Sequence, residues 1–308
     1  MLGPGKHDLY KQGKLTLADL VGVKEDARWG KSRYQRSIGD ALAAAEKRII
    51  AQAPGTHANL YEAAFWAGHH YPHITWDFTG AHIDTINPTL KQFHTLAQEW
   101  PQVSKRLTYV GTHQSAKTPY PDGWKDGGIA HADAGYGTFI GLNPAYYGNP
   151  PRILASVQTY ARSGWFPKGC DTVESLVTHE FGHLVDSLFQ SQRMTAFREI
   201  VKTDGFGFVA ETFQLWAKSN KARKSLSGYA VNDPKQIDVE GWAEGFRAIY
   251  HTPKKDWPVF VRRQAALLAI MNPRNWRTQY QWLNHLSGDA KTQAVEEMAR
   301  VRKRLGMK

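Results

Sequence analysis

Hydrophobic positions along the chain change period several times, and each change marks an element. Over 32–52, Ile38, Leu42, Ala45 and Ile49 recur at three- and four-residue steps with charges opposite, predicting an amphipathic helix that Pro54-Gly55 ends. A second apolar and aromatic segment covers 59–68. Period two then takes over at 74–78 and again at 107–112, predicting two strands. Between them a helix is expected to open at Asn87-Pro88 and stop at Pro101. Segments 129–134 and 138–142 read as strands paired about Gly135-Tyr136-Gly137. Asp171 and Glu174 then have capping-box spacing, and Val173, Val177, Phe181, Leu184 and Leu188 form one apolar helix face. Further helices are expected near 193–203, 207–219, 236–251, 256–271 and 289–305. The pattern predicts an α+β fold. It has an N-terminal arm and helical region over 1–73, a main domain over 74–285 and a charged, peripheral C-terminal helix over 286–308.

The helix after Asp171 carries His179-Glu180-Phe181-Gly182-His183. At about 100° per residue, the two histidines fall within about 40° of each other on a flank of the apolar face. Two imidazoles one turn apart can both reach a single Zn²⁺ at about 2.0–2.1 Å. Glu180, next along that flank, is placed to act as a base on a zinc-activated water rather than to ligate. Catalytic zinc usually takes a third protein ligand. Glu240 and Glu244 lie four apart on a predicted helix whose packing face is Trp242, Phe246 and Ile249. One of the two carboxylates can bind zinc while the other hydrogen-bonds a ligand imidazole, with Asp238 and Glu211 as competitors. Tyr229, in the turn-like phrase Ser227-Gly228-Tyr229-Ala230, is a candidate donor to the oxyanion of a tetrahedral intermediate. His69, His70 and His73 have no acidic partner in sequence and are read as surface or turn residues.

Composition narrows this reading. Of 308 residues, 42% are hydrophobic and 22% charged, as in ordinary globular proteins, and no apolar run approaches the length of a transmembrane helix. No secretory signal is read at the N-terminus, so a cytoplasmic protein is expected. Cys170 is the single cysteine, which excludes an intramolecular disulfide framework and leaves histidine and carboxylate as zinc ligands. The thiol is expected to be a packing residue. Lysine and arginine (39) exceed aspartate and glutamate (28), for a net charge of +11 that favours anionic neighbours, including non-specific contact with nucleic acid. Those charges are dispersed, except for Arg300-Val301-Arg302-Lys303-Arg304.

His179-Glu180-Phe181-Gly182-His183, followed by Tyr229-Ala230 and then Glu240-x-x-Ala243-Glu244, resembles the catalytic domain of anthrax lethal factor and its relatives. These are zincin metallopeptidases of the gluzincin type. Similar domains occur in phage minor head and other mobile-element proteins. Gly164-Trp165-Phe166-Pro167 and the Ile140-Gly141-Leu142-Asn143-Pro144 phrase, read as an edge strand, look like that phage-type subgroup. The resemblance covers roughly 74–285. It implies a zincin-like metallopeptidase domain holding Zn²⁺ through His179, His183 and Glu240. By it Glu180 is the general base, Tyr229 supplies the transition-state hydroxyl, and Glu244 hydrogen-bonds a ligand histidine. The activity implied is hydrolysis of a protein or peptide substrate by a zinc endopeptidase, with phage capsid or head proteins as partners and incorporation into a virion. The rival implication is a virion structural or connector protein that keeps the zincin fold for assembly.

Overall fold

A computed structural model describes residues 31–112, 128–133, 138–201, 225–231, 237–258, 261–262, 264–265 and 268. The helices expected over 207–219 and 289–305, most of that over 256–271, and the competitor Glu211 lie outside these residues. What is described is a mixed α+β structure built on a small sheet. Helix α1 (Lys31–Ile50) and helix α2 (Leu60–His70) come first. Asn59 starts α2 by accepting the Glu62 N–H at 3.0 Å. The Glu62 carboxylate reaches back to the N–H of Ala58 and also takes Arg48 of α1 and Gln52 in the turn after it. A buried polar group thereby ties the two helices together.

Strand β1 (Thr75–Asp77) leads into α3 (Ile83–Glu99) and the short α4 (Pro101–Ser104). Helix α3 does not open at Asn87-Pro88. It starts at Ile83, with the His82 ring accepting the Asp84 N–H, and carries Pro88 inside it. The apolar stripe explains this: Thr85, Ile86, Leu90, Phe93 and Leu96 are all buried on one continuous face. Packing of that face outweighs the proline's preference for a first turn. Asn87 has another role, exchanging two hydrogen bonds with the backbone of His57 at 3.1 and 2.9 Å.

Among the described residues the sheet has four strands. To β1 are added β2 (Tyr109–Gly111), β3 (Ala130–Asp133) and β4 (Phe139–Leu142), in the order β1-β2-β4-β3. The first two pairings are parallel, with Trp76 opposite Val110 and Val110 opposite Ile140. The third is the expected antiparallel hairpin, Ala132 opposite Ile140. The 140–144 phrase is therefore not an edge strand. Every residue of β4 is buried, as an interior strand with both faces covered requires, and β3 takes the edge.

Helices α5 (Pro144–Tyr147) and α6 (Pro150–Arg162) follow, and then α7 (Val173–Val201). It continues through the segment read as a separate helix near 193–203. Helix α7 touches α3, α4, α6, β3 and β4, and packs most extensively on α8 (Ile237–His251). Phe181 anchors this packing, with its ring 6.1 Å from Phe93 of α3 and 6.5 Å from Phe246 of α8. Residues from α1 through α8, on both sides of position 73, belong to one apolar cluster.

Helix α8 crosses α7 at Gly182. A Cβ there would lie 3.1 Å from Ala243 Cα and 3.1 Å from Phe246 Cβ, so the helices meet where one has no side chain. In Gly182→Ala the helix gains about 1 kcal/mol of propensity. The crowded methyl costs about 1–3 kcal/mol as an overpacked core does. Net destabilisation in urea unfolding is expected, and a more stable Gly182→Ala protein would show that the crossing has slack.

Candidate metal centre

The α7–α8 crossing brings the chemistry together. His179 and His183 project from α7, with Nε2 atoms 3.1 Å apart. From α8, Glu240 Oε2 approaches them at 3.3 and 3.6 Å. Four ligands around zinc at about 2.0–2.1 Å define a tetrahedron whose edge is roughly 3.3 Å. The three donor atoms thus already sit near the corners of one face of such a tetrahedron. Buried Glu240 Oε2 has no well-aligned hydrogen-bond donor, although two imidazole nitrogens face it. Among the described residues this is the one group of three that could hold a metal ion. The donor set, two imidazoles and a carboxylate, is of the kind that can hold zinc. The side chain of the competitor Asp238 lies outside the described residues.

Glu244 lies one turn beyond Glu240 and is fully buried. Its Oε1 is 2.8 Å from His179 Nδ1, on the ring edge away from Glu240. The contact is short but bent, because Nδ1–H does not align with the oxygen as a strong hydrogen bond would. His183 Nδ1 is buried without a partner among the described residues. Glu180 is buried beside these groups, at 6% exposure. Tyr229 sits in a 3₁₀ turn, Tyr229–Val231, with its ring 5.5 Å from that of His179. The Tyr229 N–H donates to the Trp165 carbonyl and the Gly228 N–H to that of Gly164, which fixes the turn against the Gly164-Trp165-Phe166 segment.

Electrostatics follow from burial and crowding. Burial pushes the Glu180 carboxyl up to about 7; His179 and Arg247 oppose the shift, while Glu240 and Glu244 add to it. Burial works against charge on His179, but the facing carboxylates of Glu240 and Glu244 outweigh it and raise its pKa. His183 moves the other way, down through burial and the neighbouring His179 charge. The Tyr229 phenol is raised well above its ordinary value by burial and then by Glu240 and Glu180, so it stays a neutral donor. Glu240 and Glu244 are both held below the usual carboxylate range despite burial, Glu240 by His179 and Glu244 by Arg247 and His179. When ionised, Glu180, Glu240 and Glu244 set three negative charges against Arg247 and the charged His179 ring, and a cation that displaces the His179 proton would take over that ring's part of the balance.

The chain matches no family model, no curated protein and no solved structure.

Sequence reasoning puts His179, Glu180, His183, Tyr229, Glu240 and Glu244 in one site, and the structure gathers all six. His69, His70 and His73 are exposed, and His73 Nε2–H donates to the Ser104 carbonyl. Cys170 is a fully buried packing residue. Two residues escape notice in the sequence. Arg247 forms a 3.1 Å ion pair with Glu244, and Ser227 faces the same carboxylate and helps hold its pKa down. The signal for Arg247 is its place seven residues after Glu240, on the same face of a helix otherwise apolar around it.

Zinc is expected to bind at about one ion per chain and to be lost in His179→Ala and His183→Ala. Glu240→Ala should nearly abolish binding, whereas Glu244→Gln should weaken it by about 10–100-fold. Zinc titration of the four proteins checks this. The reverse order for the two glutamates would move the ligand by one helical turn.

Proposed function

We propose that this chain is a zinc-dependent endopeptidase with a zincin-like fold, similar to the lethal factor catalytic domain. The observation that carries the reading is the convergence of His179 Nε2, His183 Nε2 and Glu240 Oε2 within 3.1–3.6 Å of one another, with buried Glu180 adjacent in sequence to the first. Zinc held by these atoms supplies Lewis acidity towards a water and a carbonyl oxygen.

The chain's own residues do the rest. The Glu180 carboxylate takes the proton of the attacking water and delivers it to the departing amine nitrogen. A pKa near 7 suits it to both halves of that transfer. The neutral Tyr229 phenol donates to the oxygen that gains charge as the carbonyl becomes tetrahedral. Glu244 keeps the His179 Nδ1 edge occupied, so that Nε2 faces the site. Among the described residues strand β3 is the outer strand of the sheet, and it touches α7 beside the site. Among the described residues no helix is long and apolar enough to cross a membrane.

Glu180→Gln is the decisive variant. It should retain zinc, because residue 180 is not a ligand, and lose at least about 100-fold of peptide cleavage, the usual contribution of a general base. Zinc content as low as in His179→Ala would overturn the assignment of roles. A Glu180→Gln protein equal to wild type in every step of particle assembly and maturation would favour the structural-protein reading instead.

A further inference from the structure

The buried guanidinium of Arg247 has no direct part in the chemistry above, and both of its terminal nitrogens are engaged while Nε is buried without a partner among the described residues. It is 1% exposed. Nη1 donates to Glu244 Oε1 at 3.1 Å, and Nη2 donates to Ser175 Oγ at 2.8 Å and to the Cys170 carbonyl at 3.4 Å. Its plane lies over the Phe166 ring, with Cζ 3.7 Å from the centroid. Ser175 Oγ in turn donates to the Thr172 carbonyl at 2.7 Å, at the start of α7. One side chain of α8 therefore grips the first turn of the helix that carries both histidines.

Its partner Glu244 faces three groups: Arg247, the His179 ring edge and Ser227. Ser227 Oγ accepts the Ala230 N–H at 3.1 Å, inside the turn that presents Tyr229. We propose that Arg247 is a positioning residue, whose fork fixes Glu244 so that one carboxylate sets both the His179 imidazole and the Tyr229 turn. This role rests on the zinc peptidase reading for its catalytic meaning, but the geometry it asserts does not depend on zinc. Lysine cannot replace the fork, since a single ammonium cannot span Glu244, Ser175 and the Cys170 carbonyl in one plane.

The test is imidazole ¹⁵N–¹H NMR of the full chain, with and without zinc, beside zinc titration. Wild type should show a protected His179 Nδ1–H resonance that Arg247→Lys weakens and Arg247→Met abolishes. Zinc affinity should fall about 10–100-fold in Arg247→Met. On a Glu244→Gln background the same change should add less than about threefold, because the carboxylate it positions is already gone. Persistence of the resonance in Arg247→Met, its absence from wild type, or an equal loss of affinity on both backgrounds would overturn the proposal. If Arg247→Met fails to fold, folding of the Arg247→Met/Glu244→Gln double variant supports the pairing. Failure of that double variant while Glu244→Gln folds makes Arg247 a packing residue and overturns the role. A wild-type chain that binds no zinc would sink the peptidase reading, and the resonance would still judge Arg247.

Discussion

The close approach of α7 and α8 at Gly182 is the constraint on which the rest of the structure depends. A methyl at that point would have to push its neighbours on α8 back by a few tenths of an ångström, and the distances from His179 and His183 to Glu240 depend on that separation. Phe181, the neighbouring residue of the motif, turns its ring into the core between Phe93 and Phe246. The pentapeptide therefore divides its work: two imidazoles for ligation, a carboxylate for proton transfer, a ring for anchoring and a glycine for approach. Elsewhere the fold supports this crossing, with α3 beneath Phe181 and β3 and β4 along α7.

The candidate site was legible in the sequence to the extent that it is local. His179 and His183 are one turn apart on a helix whose phase is plain from Val173, Val177, Phe181 and Leu184, and Glu240 and Glu244 repeat that logic. That the two helices meet face to face came only from the resemblance, because no periodicity records which helices touch. Arg247 went unread for the same reason. Its partners Ser175 and Cys170 lie 72 and 77 residues away, and nothing local requires an arginine among Trp242, Phe246 and Ala248.

The fold shows the same division between local and distant information. The antiparallel pairing of β3 and β4 was legible because the two segments lie close in sequence about Gly135-Tyr136-Gly137. Placement of β4 inside the sheet was not, since it depends on β2 lying parallel beside it, with Val110 opposite Ile140 across a long stretch of chain. The start of helix α3 is hidden because Pro88 is a local signal for a later first turn, whereas burial of Thr85 and Ile86 against distant residues decides it. Thr85 makes the point directly, donating to the Tyr147 carbonyl 62 positions away.

Cys170 gives this architecture an internal reporter. Its thiol is fully buried, and burial pushes its pKa up to about 12, so a soluble thiol reagent meets neither an accessible sulfur nor a thiolate in the folded chain. Its carbonyl is held by Arg247 and Ser175, so the residue belongs to the layer joining the start of α7 to α8. Alkylation must wait for that layer to open. The chain has a single cysteine, and the rate at which a maleimide consumes it therefore measures the free energy of that local opening, without any label being added.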